Sequence, residues 1–177
     1  MRNYNDKIFQ VQFRTVERFV IHLTFYRELW ECLDKNKLNK IKLKNFWNKS
    51  PKTYLGLMIP NFPNLFIIQG PGSPSVLTNV PVQIEQHVEW ITNCLNFLNK
   101  KNKKTIEPTT GSAKKWSDEI KKLADASLFM KAKSSWYKGD NIPGKPKVFI
   151  PYPDGLPRYR NICNKVEKNQ YKEFLIK

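Results

Sequence analysis

The sequence predicts an α/β fold, built around a buried strand, a glycine-rich loop and a long helix that follow one another between residues 65 and 99. Three observations carry that prediction. Leu65-Phe66-Ile67-Ile68-Gln69 is a short, unbroken apolar run, as a strand buried on both faces requires. Gly70-Pro71-Gly72-Ser73-Pro74-Ser75 holds two glycines and two prolines in six residues, which makes a tight, stiff loop. From Val82 to Asn99, the residues Ile84, Val88, Ile91, Leu95 and Leu98 recur at helical spacing along one stripe. Asn79 or Thr78 can cap that helix, and Pro81 suits its first turn.

Strand, glycine loop and helix in this order is how an open α/β sheet offers a ligand site at the carboxyl end of a strand. The start of a helix also presents backbone N–H groups with no partner inside the helix and a partial positive charge. Both suit an anionic or electron-rich ligand edge. Taken alone, a glycine-bearing loop of this kind is more often plain turn chemistry. It is neither a GxGxxG fingerprint nor a P-loop.

The other elements are simpler. In residues 1–37, Val16, Phe19, Leu23, Tyr26, Trp30 and Leu33 fit one amphipathic helix, a segment of unclear origin. Residues 38–56 are basic and end in the turn-rich Ser50-Pro51-Lys52-Thr53-Tyr54-Leu55-Gly56. Asn61-Phe62-Pro63-Asn64 is a turn. Residues 99–113 read as a polar linker, and Ser112 to Met130 as a helix with Trp116, Ile120, Leu123 and Leu128 inward. A long loop covers Ser134 to Pro146, a short strand Lys147 to Pro151, and a last helix runs from Tyr159 to Lys168. Tyr159, Ile162, Cys163 and Val166 share one face of it.

The chain has 177 residues, enough for one domain with a sizeable core. Its net charge is +16, and residues 57–98 contain no Lys or Arg at all. Basic charge therefore lies outside the most apolar stretch. Runs such as Asn99-Lys100-Lys101-Asn102-Lys103-Lys104 read as a bias toward Lys and Asn rather than as a polyanion site, so a nucleic-acid partner is disfavoured. Cys32, Cys94 and Cys163 are odd in number and far apart, which argues against a disulfide framework or zinc site and fits a reducing cytoplasm. Two histidines make a His-based metal centre improbable. The apolar stretch Phe19 to Phe25 is far short of the roughly 20 residues of a membrane span, so no membrane partner is expected. Glu85 and Glu89 share a helix face, but without a visible partner they read as structural. His87 reads as a packed or capping histidine.

Two blocks of the sequence resemble the C-terminal flavin-domain region of the Baeyer–Villiger flavin monooxygenases, the group of phenylacetone and cyclohexanone monooxygenases. The first is Phe62-Pro63-Asn64-Leu65-Phe66, Gly70-Pro71-Gly72-Ser73-Pro74-Ser75, Asn79 and Ile84-Glu85-Gln86-His87-Val88-Glu89-Trp90-Ile91. The second is Ser135-Trp136-Tyr137, Gly139, Asn141, Pro143-Gly144-Lys145-Pro146, Arg158-Tyr159-Arg160 and Cys163. Trp47, Pro51 and Tyr54-Leu55-Gly56 also match, so the likeness runs from about residue 38 to the end. It implies the C-terminal portion of a Rossmann-type FAD- and NAD(P)-binding fold over 38–177. It also implies a reaction in which NADPH reduces bound FAD, and one oxygen of O₂ enters a ketone to give an ester or lactone.

The resemblance assigns roles residue by residue. The loop from Gly72 to Val80 passes beside the flavin ring, with glycine allowing close backbone approach. Asn79 and Val80 offer backbone N–H groups to the pyrimidine edge of the flavin. Ser75, Val76 and Leu77 line the ketone site. Trp136 belongs to a mobile loop that closes over NADP, and Lys145 is a second contact there. Without the resemblance, Trp136 reads equally well as a core aromatic and Lys145 as a solvated loop charge. No residue is assigned as catalytic.

The family pattern also needs two GxGxxG units, a stretch with a histidine and tryptophan between them, and an arginine facing the flavin. None is present. The expectation is therefore a fragment of a split or truncated gene that needs its upstream nucleotide-binding portion and is inactive alone. Such a fragment exposes the edges and faces of the 65–69 strand, aggregates, binds FAD poorly and does not oxidise NADPH. The alternatives are a small basic nucleic-acid-binding protein and a non-functional gene remnant.

Overall fold

The computed structural model describes residues 19–22, 43–131, 135–139 and 146–177. In chain order the regular elements are β1 (Phe19–His22), α1 (Leu43–Phe46), β2 (Leu65–Ile68), α2 (Val80–Lys100), β3 (Ile106–Pro108), α3 (Thr110–Asp125), α4 (Leu156–Lys168) and β4 (Phe174–Ile176). Short 3₁₀ turns lie at Ser75–Leu77, Leu128–Lys131 and Trp136–Lys138.

The strand β2 is the centre of the molecule. All four of its residues are buried, and its alternate side chains enter two different clusters. Leu65 and Ile67 meet Leu43, Trp47, Ile59 and Phe62 on one face. Phe66 and Ile68 join the larger core with Trp90, Ile91, Trp116 and Tyr159 on the other. This is the two-residue period of a strand covered on both sides. Its edges are covered too. On one side β1 pairs with it in parallel, Phe19 opposite Leu65. On the other, Ile67 donates its N–H to Leu57 O at 2.8 Å, beside a bridge between Met58 and Phe66. The expected exposure of β2 is therefore not found, because the chain itself caps both edges.

The pairing of β1 also corrects the helix expected over residues 1–37. Phe19–His22 is a strand, since Val20 and Ile21 are β-branched and the open edge of β2 offers them a ladder. The rest of 1–37 lies outside the described residues.

Helices α2 and α4 pack side by side and run parallel. Matching pairs recur along them: His87 on Tyr159, Trp90 Nε1 donating to Cys163 O at 3.2 Å, and Asn93 against Glu167. Asn79 caps α2, its side chain accepting from Val82 N at 3.3 Å, and Pro81 lies in the first turn. The buried stripe of α2 is Gln83, Gln86, His87, Trp90, Ile91, Cys94 and Leu98. Val88, expected inward, is 46% exposed. Buried hydrogen bonds of His87, described below, turn the helix about its axis, and periodicity counted on apolar residues alone misses that.

Three further expectations change. The linker contains β3, which pairs antiparallel with β4 at the C-terminus. Asn64 ties this pair to β2 through reciprocal bonds with Ile106, its N–H to Ile106 O at 2.9 Å and its Oδ1 accepting from Ile106 N at 3.1 Å. The helix expected to reach Met130 ends at Asp125 and leaves Leu128 exposed, because Ala126 and Ser127 bond back onto the last turn. The segment 147–151 is not a regular strand. It runs extended between two neighbours, Val148 N bonding to Lys138 O and Gly72 N to Ile150 O. Among the described residues, no helix is long and apolar enough to cross a membrane.

Candidate functional site

The loop after β2 divides into an inner and an outer half. The inner half, residues 70–74, is buried and held on every side by the chain itself. Gly70 and Gly56 lie back to back. A Cβ on Gly70 would stand 2.3 Å from Gly56 O, and one on Gly56 would stand 2.4 Å from Ser73 N. Only glycine fits at either position. Gly72 adopts φ +90°, with its N–H on Ile150 O at 2.9 Å and its carbonyl accepting from Trp116 Nε1 at 3.0 Å. Trp116 stacks on Tyr152 at 5.0 Å, and Tyr152 N donates to Ser73 O at 2.8 Å. Thr53 Oγ1 donates to Pro71 O at 2.5 Å.

Gly72 thus approaches Trp116 closely, and both of its backbone groups are used inside the chain. The glycine that the resemblance assigned to a flavin has an internal reason to be glycine. A cavity of about 140 Å³ lies against it, lined by Pro51, Thr53, Trp116, Ile120, Met130 and Phe149 among others. None of residues 75–80 lines that cavity.

The outer half has another character. Ser75 takes φ +50° at the start of the 3₁₀ turn that carries Ser75, Val76 and Leu77. Ser75 and Leu77 are half-buried, and Leu77 rests on the main core. Asn79 is exposed and extended, and Val80 opens α2. Among the described residues, neither the Asn79 nor the Val80 N–H meets an acceptor. Two adjacent donors at the positive end of a 21-residue helix are thus without an acceptor among the described residues. The donor set suits a group with carbonyl oxygens and delocalised negative charge, as the pyrimidine edge of a reduced flavin has.

The second block reaches the same place through the backbone. Tyr137 O accepts from Ile150 N at 2.8 Å, and Ile150 O accepts from Gly72 N. The turn that carries Trp136 is therefore one hydrogen-bonded segment away from the glycine loop. Lys145 lies outside the described residues.

Behind the loop His87 is packed, as its sequence reading has it, but its polar partners Gln69, Gln83 and Tyr159 are marked by no apolar pattern. His87 is fully buried, and burial pushes its pKa down to about 3. Its Nδ1 accepts from Gln69 N at 3.0 Å, and its Nε2 lies 3.0 Å from Tyr159 Oη and 3.3 Å from the side-chain amide of Gln83. Burial likewise pushes the Cys163 thiol up to about 12, so it stays a protonated, inert thiol. The usable signal was the helical spacing of Gln83, Gln86 and His87, which places three polar residues on the inward face.

Known proteins match this geometry and sequence together. A cyclohexanone 1,2-monooxygenase of an Acinetobacter species is 34% identical over 142 residues, spanning 80% of this chain and 26% of that protein. A Baeyer–Villiger monooxygenase of Pseudooceanicola batsensis is 37% identical over 131 residues, 74% of this chain and 24% of that one. Over these residues the chain belongs to the Baeyer–Villiger flavin monooxygenase family. The chain spans about a quarter of the length of the curated relatives it matches. The fold agrees. The crystal structure of cyclohexanone monooxygenase from Rhodococcus sp. Phi1 bound to NADP⁺ superposes with a TM-score of 0.74 at 34% identity, covering 82% of this chain and 28% of that one. An oxidized steroid monooxygenase bound to NADP gives 0.72 at 38% identity, covering 78% and 25%. No family model matches the chain. The α/β class read from the 65–99 segment is thus that of solved flavin monooxygenases, and the chain holds part of it.

Proposed function

We propose that residues 38–177 form the C-terminal, flavin-facing part of an NADPH- and FAD-dependent Baeyer–Villiger-type monooxygenase, acting on a ketone with O₂. When bound, FAD supplies the redox and oxygen chemistry. This chain's residues bind, orient and exclude water. The observation that carries the reading is the pair of unmet N–H groups at Asn79 and Val80, set at the start of a capped helix directly after a clamped loop. Those groups hold the flavin's pyrimidine edge and favour the charge that it gains on reduction. Ser75, Val76 and Leu77 form one wall of the ketone site. Trp136 and Lys145 contact NADP from the neighbouring loop. The two dinucleotide-binding units come from another portion of the enzyme, and residues 1–37 stand apart from the family region. The buried thiols of Cys94 and Cys163 suit a reducing, cytoplasmic setting.

A graft tests this reading. Residues 43–177 replace the matching quarter of the Rhodococcus cyclohexanone monooxygenase, and bound flavin, NADPH oxidation and lactone formation are measured. The expected product is a yellow protein with stoichiometric flavin that consumes NADPH. A folded, monomeric graft that is colourless and leaves NADPH untouched would overturn the reading.

A further inference from the structure

The groups behind the loop form a directed chain of hydrogen bonds. A backbone N–H can only donate, so Nδ1 of His87, which accepts from Gln69 N at 3.0 Å, carries no proton. The neutral ring therefore bears its proton on Nε2. Tyr159 Oη lies 3.0 Å from that nitrogen and 2.6 Å from Leu55 O, which accepts only. The order is then fixed: His87 Nε2–H donates to Tyr159 Oη, and the Tyr159 hydroxyl donates to Leu55 O. Gln83 Nε2 lies 3.3 Å from the same ring nitrogen while Gln83 Oε1 has no partner among the described residues, so the tautomer calls for the amide to be flipped, with Oε1 toward the Nε2–H.

Both ends of this chain are unusual backbone. Gln69 has φ +56° and Leu55 has φ +59°, left-handed conformations that side chains other than glycine rarely adopt. Such residues persist where their surroundings hold them. Gln69 is also the residue that closes the loop. Its side-chain Nε2 donates to Val80 O at 3.4 Å, across the ten residues between them.

We infer that His87 is a positioning residue: locked as its Nε2–H tautomer, it pins Gln69 in the left-handed turn, and Gln69 in turn holds the carbonyl of Val80, one Cα away from the N–H that Val80 offers. The pin itself is a property of this chain; its meaning for cofactor binding rests on the flavin reading above. His87 never touches the cofactor. It acts through Gln69.

The test has two independent arms. In the full-length chain, ¹⁵N-labelled histidine should show Nδ1 unprotonated and Nε2 protonated at pH 7. Amide exchange should show Gln69 N–H opening roughly 10–100-fold faster in His87→Phe, the loss expected when a buried donor loses its acceptor. Amides in the middle of α2, such as that of Trp90, should keep their rates. His87→Asn, which keeps an oxygen near the position of Nδ1, should restore most of the protection of Gln69. A protonated Nδ1 would overturn the inference, and so would acceleration spread evenly over α2, which is what a merely structural role produces. In the grafted enzyme, His87→Phe should weaken flavin retention about tenfold with the chain still folded. Should the unmutated graft hold no flavin, the functional reading falls while the exchange arm still decides the pin. If the graft holds flavin and His87→Phe holds it equally well, the positioning of Val80 is refuted.

Discussion

The two halves of one loop make the instructive contrast in this molecule. Residues 70–74 are buried and bonded to their own chain, whereas residues 75–80 end on donors that meet no acceptor among the described residues. Glycine is concentrated in the first half, and the open chemistry in the second. Here a glycine-rich loop beside a helix start is not one feature with one purpose. Its glycines let two stretches of backbone and an indole meet, and that rigid base presents a helix terminus.

The largest effect should come from breaking the base. In Gly56→Ala the new methyl would have to share space with backbone at 2.4 Å, at a residue with φ +68°. We expect a loss of at least about 3 kcal/mol in urea unfolding, without a change in slope. A variant as stable as the parent would show that the base is soft.

Acid should sharpen the contrast next. His87 is held neutral, with a pKa of about 3 against 6.5 for an exposed histidine. Between those values the unfolded chain carries a proton that the folded chain refuses. Stability is therefore complete above pH 6.5 and declines as the pH falls toward 3. Each unit of pH crossed costs at most about 1.4 kcal/mol from this residue alone. Unfolding free energies measured from pH 7 to 4.5 should show that slope, and His87→Phe should flatten it. A slope unchanged by the substitution would place the acid sensitivity elsewhere.

The smallest expected effect on stability lies in the outer half. Asn79→Ala removes a cap and should lower stability by about 1 kcal/mol, read from the same unfolding curves. A loss of several kcal/mol there would mean that the outer half is as integral as the inner one.

Much of this organisation was legible in the sequence. The unbroken run Leu65 to Ile68 marks a strand covered on both faces, and Asn79 with Pro81 announces the start of α2. Less legible was anything decided by partners distant in sequence. The strand Ile106–Pro108 looks like linker because its pairing partner is the last strand of the chain, about 70 residues on. Val88 looks inward and is exposed because the face of α2 is set by Gln83, Gln86 and His87, whose bonds no apolar pattern records. In the site, the order of residues 72–80 was readable, but the contact of Gly72 with Trp116, where a Cβ would stand 2.9 Å from the indole nitrogen, was not.

The most direct test of the central claim is Val80→Pro in the grafted enzyme. Proline fits the first turn of a helix and follows an extended Asn79 without strain, so the substitution deletes one N–H and little else. The account predicts flavin dissociation constants about tenfold or more higher, at a thermal midpoint close to that of the unmutated graft. Flavin bound as tightly as before, at the same midpoint, would contradict it.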